Sequence, residues 1–184
     1  MEKFIKETKK EIRKEMLKKR DALQKDYVKK QSEKVFKLLK TINGFLNANV
    51  IFVYVDFRNE IKTDKIINFL KNKLVLLPKI DGEEMYAVKK EEETKLNKYG
   101  ILEPKSSNAY TGKIDVCIIP LVACSKKGDR IGFGKGYYDK FLKSTNSLKI
   151  GLAYSWQVLD NFESEPFDEK LDIIVTEKEI IEVK

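Results

Sequence analysis

Between an apolar run, Val116-Cys-Ile-Ile-Pro-Leu-Val-Ala123, and a helical pattern, Tyr137-Tyr-Asp-Lys-Phe-Leu-Lys143, the chain reads Gly128-Asp-Arg-Ile-Gly-Phe-Gly-Lys-Gly-Tyr-Tyr-Asp139. Four of its nine glycines fall within these twelve residues. Glycine costs backbone entropy, so such a cluster points to positive φ or to close approach of a ligand. A strand that passes through a glycine loop into a helix gathers backbone N–H groups around an anion. Arg130 and Lys135 add full charges to that concavity. The loop lacks the Gly-x-x-x-x-Gly-Lys-Ser/Thr order of a Walker A sequence. It also differs from the Gly-x-Gly-x-x-Gly dinucleotide fingerprint, because its third glycine comes one residue early. A turn shaped only for packing is the alternative reading.

The rest of the chain places this loop in an α/β context. Apolar residues at Ile5, Ile12, Met16, Leu23, Tyr27, Val35 and Leu39 follow helical spacing through residues 3–40, with a break near Asp21–Lys25. Val50–Val55 reads as a strand buried on both faces, Leu74–Leu77 as a second and Met85–Val88 as a shorter one. Thr63 is placed to N-cap a helix carrying Ile66, Ile67, Phe69 and Leu70. Residues 91–110 read as loop, 115–122 as a strand, and Ile150–Tyr154 and Ile173–Val175 as two more. Near-continuous Val/Ile/Leu strands alternating with helices indicate a mainly parallel sheet covered on both faces. Ligands of such sheets bind at the carboxyl ends of the strands. The segments carrying Glu60, Arg130–Asp139, Gln157 and Asp172 are therefore expected to converge on one crevice.

Composition narrows the chemistry. Histidine is absent from the 184 residues, which excludes Ser-His-Asp and Cys-His nucleophiles and histidine-bound zinc. A metal must then be held by oxygen, and hydrated Mg²⁺ shared with phosphate fits best. The two cysteines, Cys117 and Cys124, lack metal or redox spacing and fit a reducing compartment. No apolar run approaches the ~20 residues of a membrane span, and no signal peptide precedes the charged amino terminus. One cytoplasmic domain spanning residues 1–184, with no membrane partner, is expected. The net charge of +8 is confined to residues 1–40, which hold 15 Lys/Arg against 7 Asp/Glu, while the remainder holds 22 of each. That helix lacks the interleaved aromatics of a single-strand platform, so no nucleic-acid partner is expected.

Arg130-Ile-Gly-Phe-Gly-Lys-Gly-Tyr-Tyr-Asp139, following Pro120-Leu-Val122, resembles the signature of the 5-formyltetrahydrofolate cyclo-ligases, also called methenyltetrahydrofolate synthetases. The resemblance continues through Lys9–Arg13 with Lys19-Arg20, Glu60–Thr63, Leu77–Lys79, Gly100–Pro104, Gly151–Ser155 with Gln157, and Leu171–Glu177. It implies a three-layer α/β/α domain with an amino-terminal helical segment. It also implies ATP- and Mg²⁺-dependent closure of 5-formyltetrahydrofolate to the 5,10-methenyl compound, by a monomer.

The same resemblance implies the site residues. ATP contacts fall on Lys9, Lys10, Glu11, Ile12 and Arg13. They fall also on Arg130, Ile131, Gly132, Phe133, Gly134, Lys135, Gly136, Tyr137 and Tyr138. Folate contacts fall on Val55, Glu60 and the segment from Phe133 to Tyr137; Arg130, Lys135 and Tyr137 act in catalysis, and Asp139 and Asp172 hold the metal. Residues 56–59 depart from the Ser/Met-rich stretch often found there. Phe167 stands where many relatives have histidine before Asp168, so that histidine is dispensable here or activity has been lost. Trp156 reads equally as wall or core. Two other readings stay open: a basic-helix nucleic-acid binder, marked by steep salt dependence, and a related fold acting on sugar phosphates or acyl-CoA without ATP cleavage.

Overall fold

The computed structural model describes residues 8–91, 93–162, 164–165 and 168–184. Ile5 and Phe167 therefore lie outside the described residues. In chain order come α1 (Lys9–Asp21), α2 (Lys25–Leu39), α3 (Asn43–Asn47), β1 (Val50–Val53), α4 (Asp64–Phe69), β2 (Leu74–Asp81) and β3 (Glu84–Lys89). Then follow β4 (Thr94–Leu96), β5 (Leu102–Pro104), β6 (Val116–Ile119), β7 (Ala123–Ser125), β8 (Arg130–Ile131), α5 (Tyr137–Lys143) and β9 (Leu148–Leu152). A 3₁₀ turn, Ser155–Gln157, precedes β10 (Val158–Leu159), β11 (Ile173–Val175) and β12 (Ile180–Glu182).

Seven strands form one sheet in the order β12-β11-β9-β6-β1-β2-β3. The five inner strands pair in parallel, and the two edge strands, β3 and β12, run antiparallel. Period-2 alternation explains how both faces are buried. Ile51, Val53, Val116, Ile118, Ile150 and Val175 point to the layer that holds Val35, Leu39, Phe45 and Ile66 of α2, α3 and α4. Phe52, Cys117, Ile119 and Ile174 point to the opposite layer, where Phe141 and Leu142 of α5 cover them. Each of these side chains contributes about 1.5–3 kcal/mol relative to exposure. The expected three-layer α/β/α arrangement with a mainly parallel sheet is thus present.

Helix α1 begins at a capping box, with Thr8 and Glu11 satisfying each other's backbone N–H. It packs Ile12 and Met16 on Val122, Ala123 and Ile131 rather than on the large sheet. Ala123 and Ile131 belong to a small sheet of order β10-β7-β8 beyond the carboxyl end of β6, and Val122 immediately precedes it. The break between α1 and α2 falls where the spacing placed it.

Three local expectations are corrected. The strand expected over 115–122 ends at Ile119, because Pro120 has no N–H to extend a ladder. Residues 91–110, expected as loop, contain the antiparallel hairpin β4–β5. Thr63 makes no side-chain cap to α4; its hydroxyl instead donates to Asp56 Oδ1 at 3.2 Å.

Candidate active site

A cavity of about 690 Å³ opens at the carboxyl ends of β1 and β6, as the sheet topology requires. Its walls are the end of β1 (Tyr54, Val55), the turn to Glu60, the glycine loop, and Lys9 and Arg13 of α1. Pro78, Ile80 and Met85 of the β2–β3 pair and Asn97, Tyr99 and Ile101 of the β4–β5 turn complete an apolar end.

Glu60 is positioned by an unusual turn. Arg58 and Asn59 both have positive φ, 47° and 56°, a conformation side-chain-bearing residues seldom adopt. The cost is offset where the turn meets α1: Asn59 Nδ2 donates to the carbonyls of Arg20 and Leu23, each at 3.1 Å, and Arg58 pairs with Asp21. The turn thereby sends Glu60 inward. Phe57 N–H donates to Glu60 Oε2 at 2.9 Å, while Oε1 is buried with no hydrogen bond among the described residues. Burial pushes this carboxyl up to about 7, against the pull of Arg20 and of the Phe57 N–H.

The glycine loop is shaped by close approach. A Cβ on Gly132 would lie 2.8 Å from Arg130 Nη1, and one on Gly134, at φ +90°, would lie 3.2 Å from the Arg13 guanidinium carbon. Two arginines therefore lie against the loop backbone. Arg13 Nε donates to Gly132 O at 2.7 Å. Arg130, from β8, is almost wholly buried; its Nη2 donates to Asp139 Oδ1 at 2.7 Å, and its Nε has no partner among the described residues. Phe133 and Lys135 are exposed along the cavity, and Tyr137 OH meets Tyr99 OH at 3.1 Å.

The amino-terminal motif divides. Lys9 and Arg13 line the cavity; Ile12 is core, Glu11 caps α1 and Lys10 is exposed away from the cavity lining. Of the five residues expected at the phosphates, the fold brings Lys9 and Arg13 to the cavity and does not bring Lys10, Glu11 or Ile12 there. Lys9 Nζ donates to Glu165 Oε2 at 3.0 Å and to Asp168. Burial works against its charge, but Asp168 and Glu165 outweigh it and hold the ammonium above its ordinary value.

Asp172 is not brought to Asp139. It stands just before β11 and accepts a hydrogen bond from Lys149 N–H, at the start of β9, at 2.7 Å. That is the amino end of the parallel strands, opposite the cavity. Gln157 is also outside: its amide donates to Val122 O at 2.8 Å, bracing the chain beneath the loop. Trp156 stacks on Tyr154 at 5.5 Å with Lys19 over its face, outside the cavity lining. Burial pushes Cys117 up to about 11 and Cys124 up to about 12, so neither thiol is a nucleophile at neutral pH. Sequence reasoning did not place Tyr99, Glu165 or Asp168 at the cavity; none carries a periodicity, and the position of Asp168 beside Phe167 was the available signal.

A sequence profile described as the 5-formyltetrahydrofolate cyclo-ligase family matches residues 5–177. The chain belongs to this family. Family membership makes it an enzyme of the cyclo-ligase class. The chain is similar to the solved Aquifex aeolicus 5,10-methenyltetrahydrofolate synthetase, with TM-score 0.85 and 33% identity over 96% of this chain and 93% of that one. It is similar also to the Mycoplasma pneumoniae 5,10-methenyltetrahydrofolate synthetase, with TM-score 0.75 and 30% identity over 93% and 99%. A probable 5-formyltetrahydrofolate cyclo-ligase of Caenorhabditis elegans is 31% identical over 96% of each chain. Among the described residues no helix is long and apolar enough to cross a membrane.

Proposed function

We propose that this chain closes 5-formyltetrahydrofolate to 5,10-methenyltetrahydrofolate with cleavage of ATP to ADP and phosphate. The observation that carries the reading is one cavity in which Arg13, Arg130 and a glycine loop meet a buried carboxylate, Glu60. The volume, about 690 Å³, lies in the ordinary range for ligand sites.

The formyl oxygen is a poor leaving group. Assisted by the N5 lone pair, it attacks the γ-phosphorus; the P–O bond to ADP breaks and an imidate phosphate forms. N10 then adds to the activated carbon, loses its proton, and the C–O bond breaks to release phosphate. No protein nucleophile takes part, so the absence of histidine and the inert thiols are no handicap. The chain's task is orientation and charge neutralisation. Arg13, held along the loop by Gly132 O, Lys135 on the rim and Arg130 beneath would face the phosphates; Val55, Glu60, Phe133 and Tyr137 would face the folate.

Asp139 lines the cavity with one carboxylate oxygen on Arg130 and the other without a hydrogen bond among the described residues. This donor suits Mg²⁺, which takes one or two carboxylates with phosphate and water rather than a protein cage. Bound there, the ion would neutralise phosphate charge. Among the described residues no three acidic side chains converge as a closed metal site.

The assay is direct: protein, MgATP and 5-formyltetrahydrofolate are mixed, and the near-ultraviolet absorbance of the methenyl product is followed with ADP release. Asp139→Asn should remain folded and lose most turnover. Asp172→Asn should retain it, since that carboxylate serves the opposite end of the sheet. Product formation without ADP would overturn the reading. Equal losses at the two aspartates would overturn the placement of the metal.

ATP affinity separates the two clamp residues from ordinary surface charge. Arg13→Ala and Lys9→Ala should each weaken ATP binding by about 1–3 kcal/mol, the range for charge-assisted hydrogen bonds. Lys9 must exchange Asp168 or Glu165 for phosphate, so its effect should be the smaller. Exposed Lys14, Lys18 and Lys29 should each matter little. Titrations giving similar small losses at all five positions would remove the clamp and favour a diffuse polyanion-binding face.

A further inference from the structure

We propose that Arg20 is a positioning residue that holds Glu60 as an open, charged acceptor facing the cavity; this rests on the reading of Glu60 as the partner of the folate. Arg20 comes from the last turn of α1, far in sequence from the glycine loop, and is 1% exposed. Its Nη1 donates to Leu121 O at 3.1 Å and stands 3.6 Å from Glu60 Oε1, too far for a hydrogen bond. Nε and Nη2 have no partner among the described residues. The guanidinium carbon lies 5.3 Å from the ring of Phe133, the exposed aromatic of the loop.

A buried guanidinium with most of its donors idle is costly. A pair kept only for stability would close both ends with hydrogen bonds. Here the separation leaves Oε1 without a donor while a full positive charge stands beside it. That is the state required of a carboxylate that must accept an N–H from a ligand.

The neighbours of Glu60 leave this task to Arg20. Lys62 is engaged by Asp56 at 2.7 Å, and Asp56 itself disfavours a second negative charge. Tyr54 and Tyr154 donate elsewhere, to Ile61 O and Asn59 O. Tyr138, partly buried, adds a phenol from α5. Arg20 is therefore the cation that faces Glu60 from within. By reaching Leu121 and Phe133 as well, it links the folate wall to the loop.

The test measures 5-formyltetrahydrofolate dissociation constants between about pH 6 and 9 for wild type, Arg20→Gln, Arg20→Lys, Glu60→Gln and the double Arg20→Gln/Glu60→Gln variant, with ATP affinity and thermal melts alongside. Wild-type affinity should rise with pH through about 7. Arg20→Gln should shift that rise to higher pH, lowering affinity at neutral pH about tenfold and regaining it near pH 9. Arg20→Lys, which keeps the charge, should stay within about threefold of wild type. In the Glu60→Gln background, Arg20→Gln should add nothing, and ATP affinity should be unchanged throughout. A pH-independent loss, an unmoved profile, or a full further loss in the Glu60→Gln background would overturn the proposal. If Arg20→Gln does not fold, Arg20→Lys against wild type and the double variant against Glu60→Gln decide the matter. If Glu60→Gln leaves folate affinity intact, the role of Glu60 fails first and takes the proposal with it; closure of the folate by this enzyme would stand.

Discussion

Arg130→Gln is expected to lower kcat about 10²–10³-fold, the effect of removing one preorganised charge-stabilising donor. Arg130 is fixed before any substrate arrives: it is nearly buried, held by Asp139 and packed over the Tyr138 ring at 5.6 Å. Its Nε, without a partner among the described residues, and the nearness of Nη1 to Gly132 leave donors directed at the loop rather than at bulk water. A glutamine keeps some reach but loses the charge that would meet the phosphate developing on the formyl oxygen. Asp139, partly exposed, can rehydrate, so the stability loss should be modest, about 1–2 kcal/mol. Single-turnover kinetics with a parallel melt separate the two effects. Turnover within tenfold of wild type would show that Arg130 organises the loop without acting on the chemistry.

How much of this site could be read from sequence follows from how local each cause is. The glycine loop was legible because its chemistry lies in twelve consecutive residues, and Lys9 with Arg13 because four-residue spacing puts both on one helix face. Lys10, Glu11 and Ile12 share that motif but turn to solvent, to the cap and to the core. A run of motif residues on a helix cannot all reach one ligand. Glu60 was legible as a residue but not as a buried one, since its burial depends on the positive-φ turn at Arg58-Asn59 and on the carbonyls of Arg20 and Leu23, at and just past the end of α1, that receive Asn59. Asp172 was misplaced for a reason sequence could have supplied. In a parallel sheet the residue before a strand lies at the end opposite the ligand crevice, and Asp172 immediately precedes β11. Asp168 and Tyr99 sit on segments without periodicity and reach the cavity through tertiary contacts alone.

Glu60→Gln should give a protein that is more stable above neutral pH and poorer at using folate. The folded carboxyl is raised from 4.5 to about 7, chiefly by burial. Between those values the native state keeps a proton that the unfolded chain releases. The stability from this group is therefore fully present below about 4.5 and is lost as pH rises through about 7. Glutamine mimics the protonated form at every pH. The unfolding free energies of variant and wild type should thus coincide near pH 4.5 and separate on the alkaline side, reaching about 2–3 kcal/mol in favour of the variant by pH 8. For a chain of this length that corresponds to a Tm difference of about 5–10 °C. Denaturant titrations at a series of pH values measure the divergence directly; parallel curves would mean that Glu60 ionises as easily in the fold as in the unfolded chain. At the same alkaline pH the folate kcat/KM of the variant should fall well below that of wild type, because Oε1 no longer carries charge toward the cavity. The two opposite changes share one cause: a carboxylate kept dry beside a half-paired arginine costs the fold stability in the ionisation state that the reaction uses.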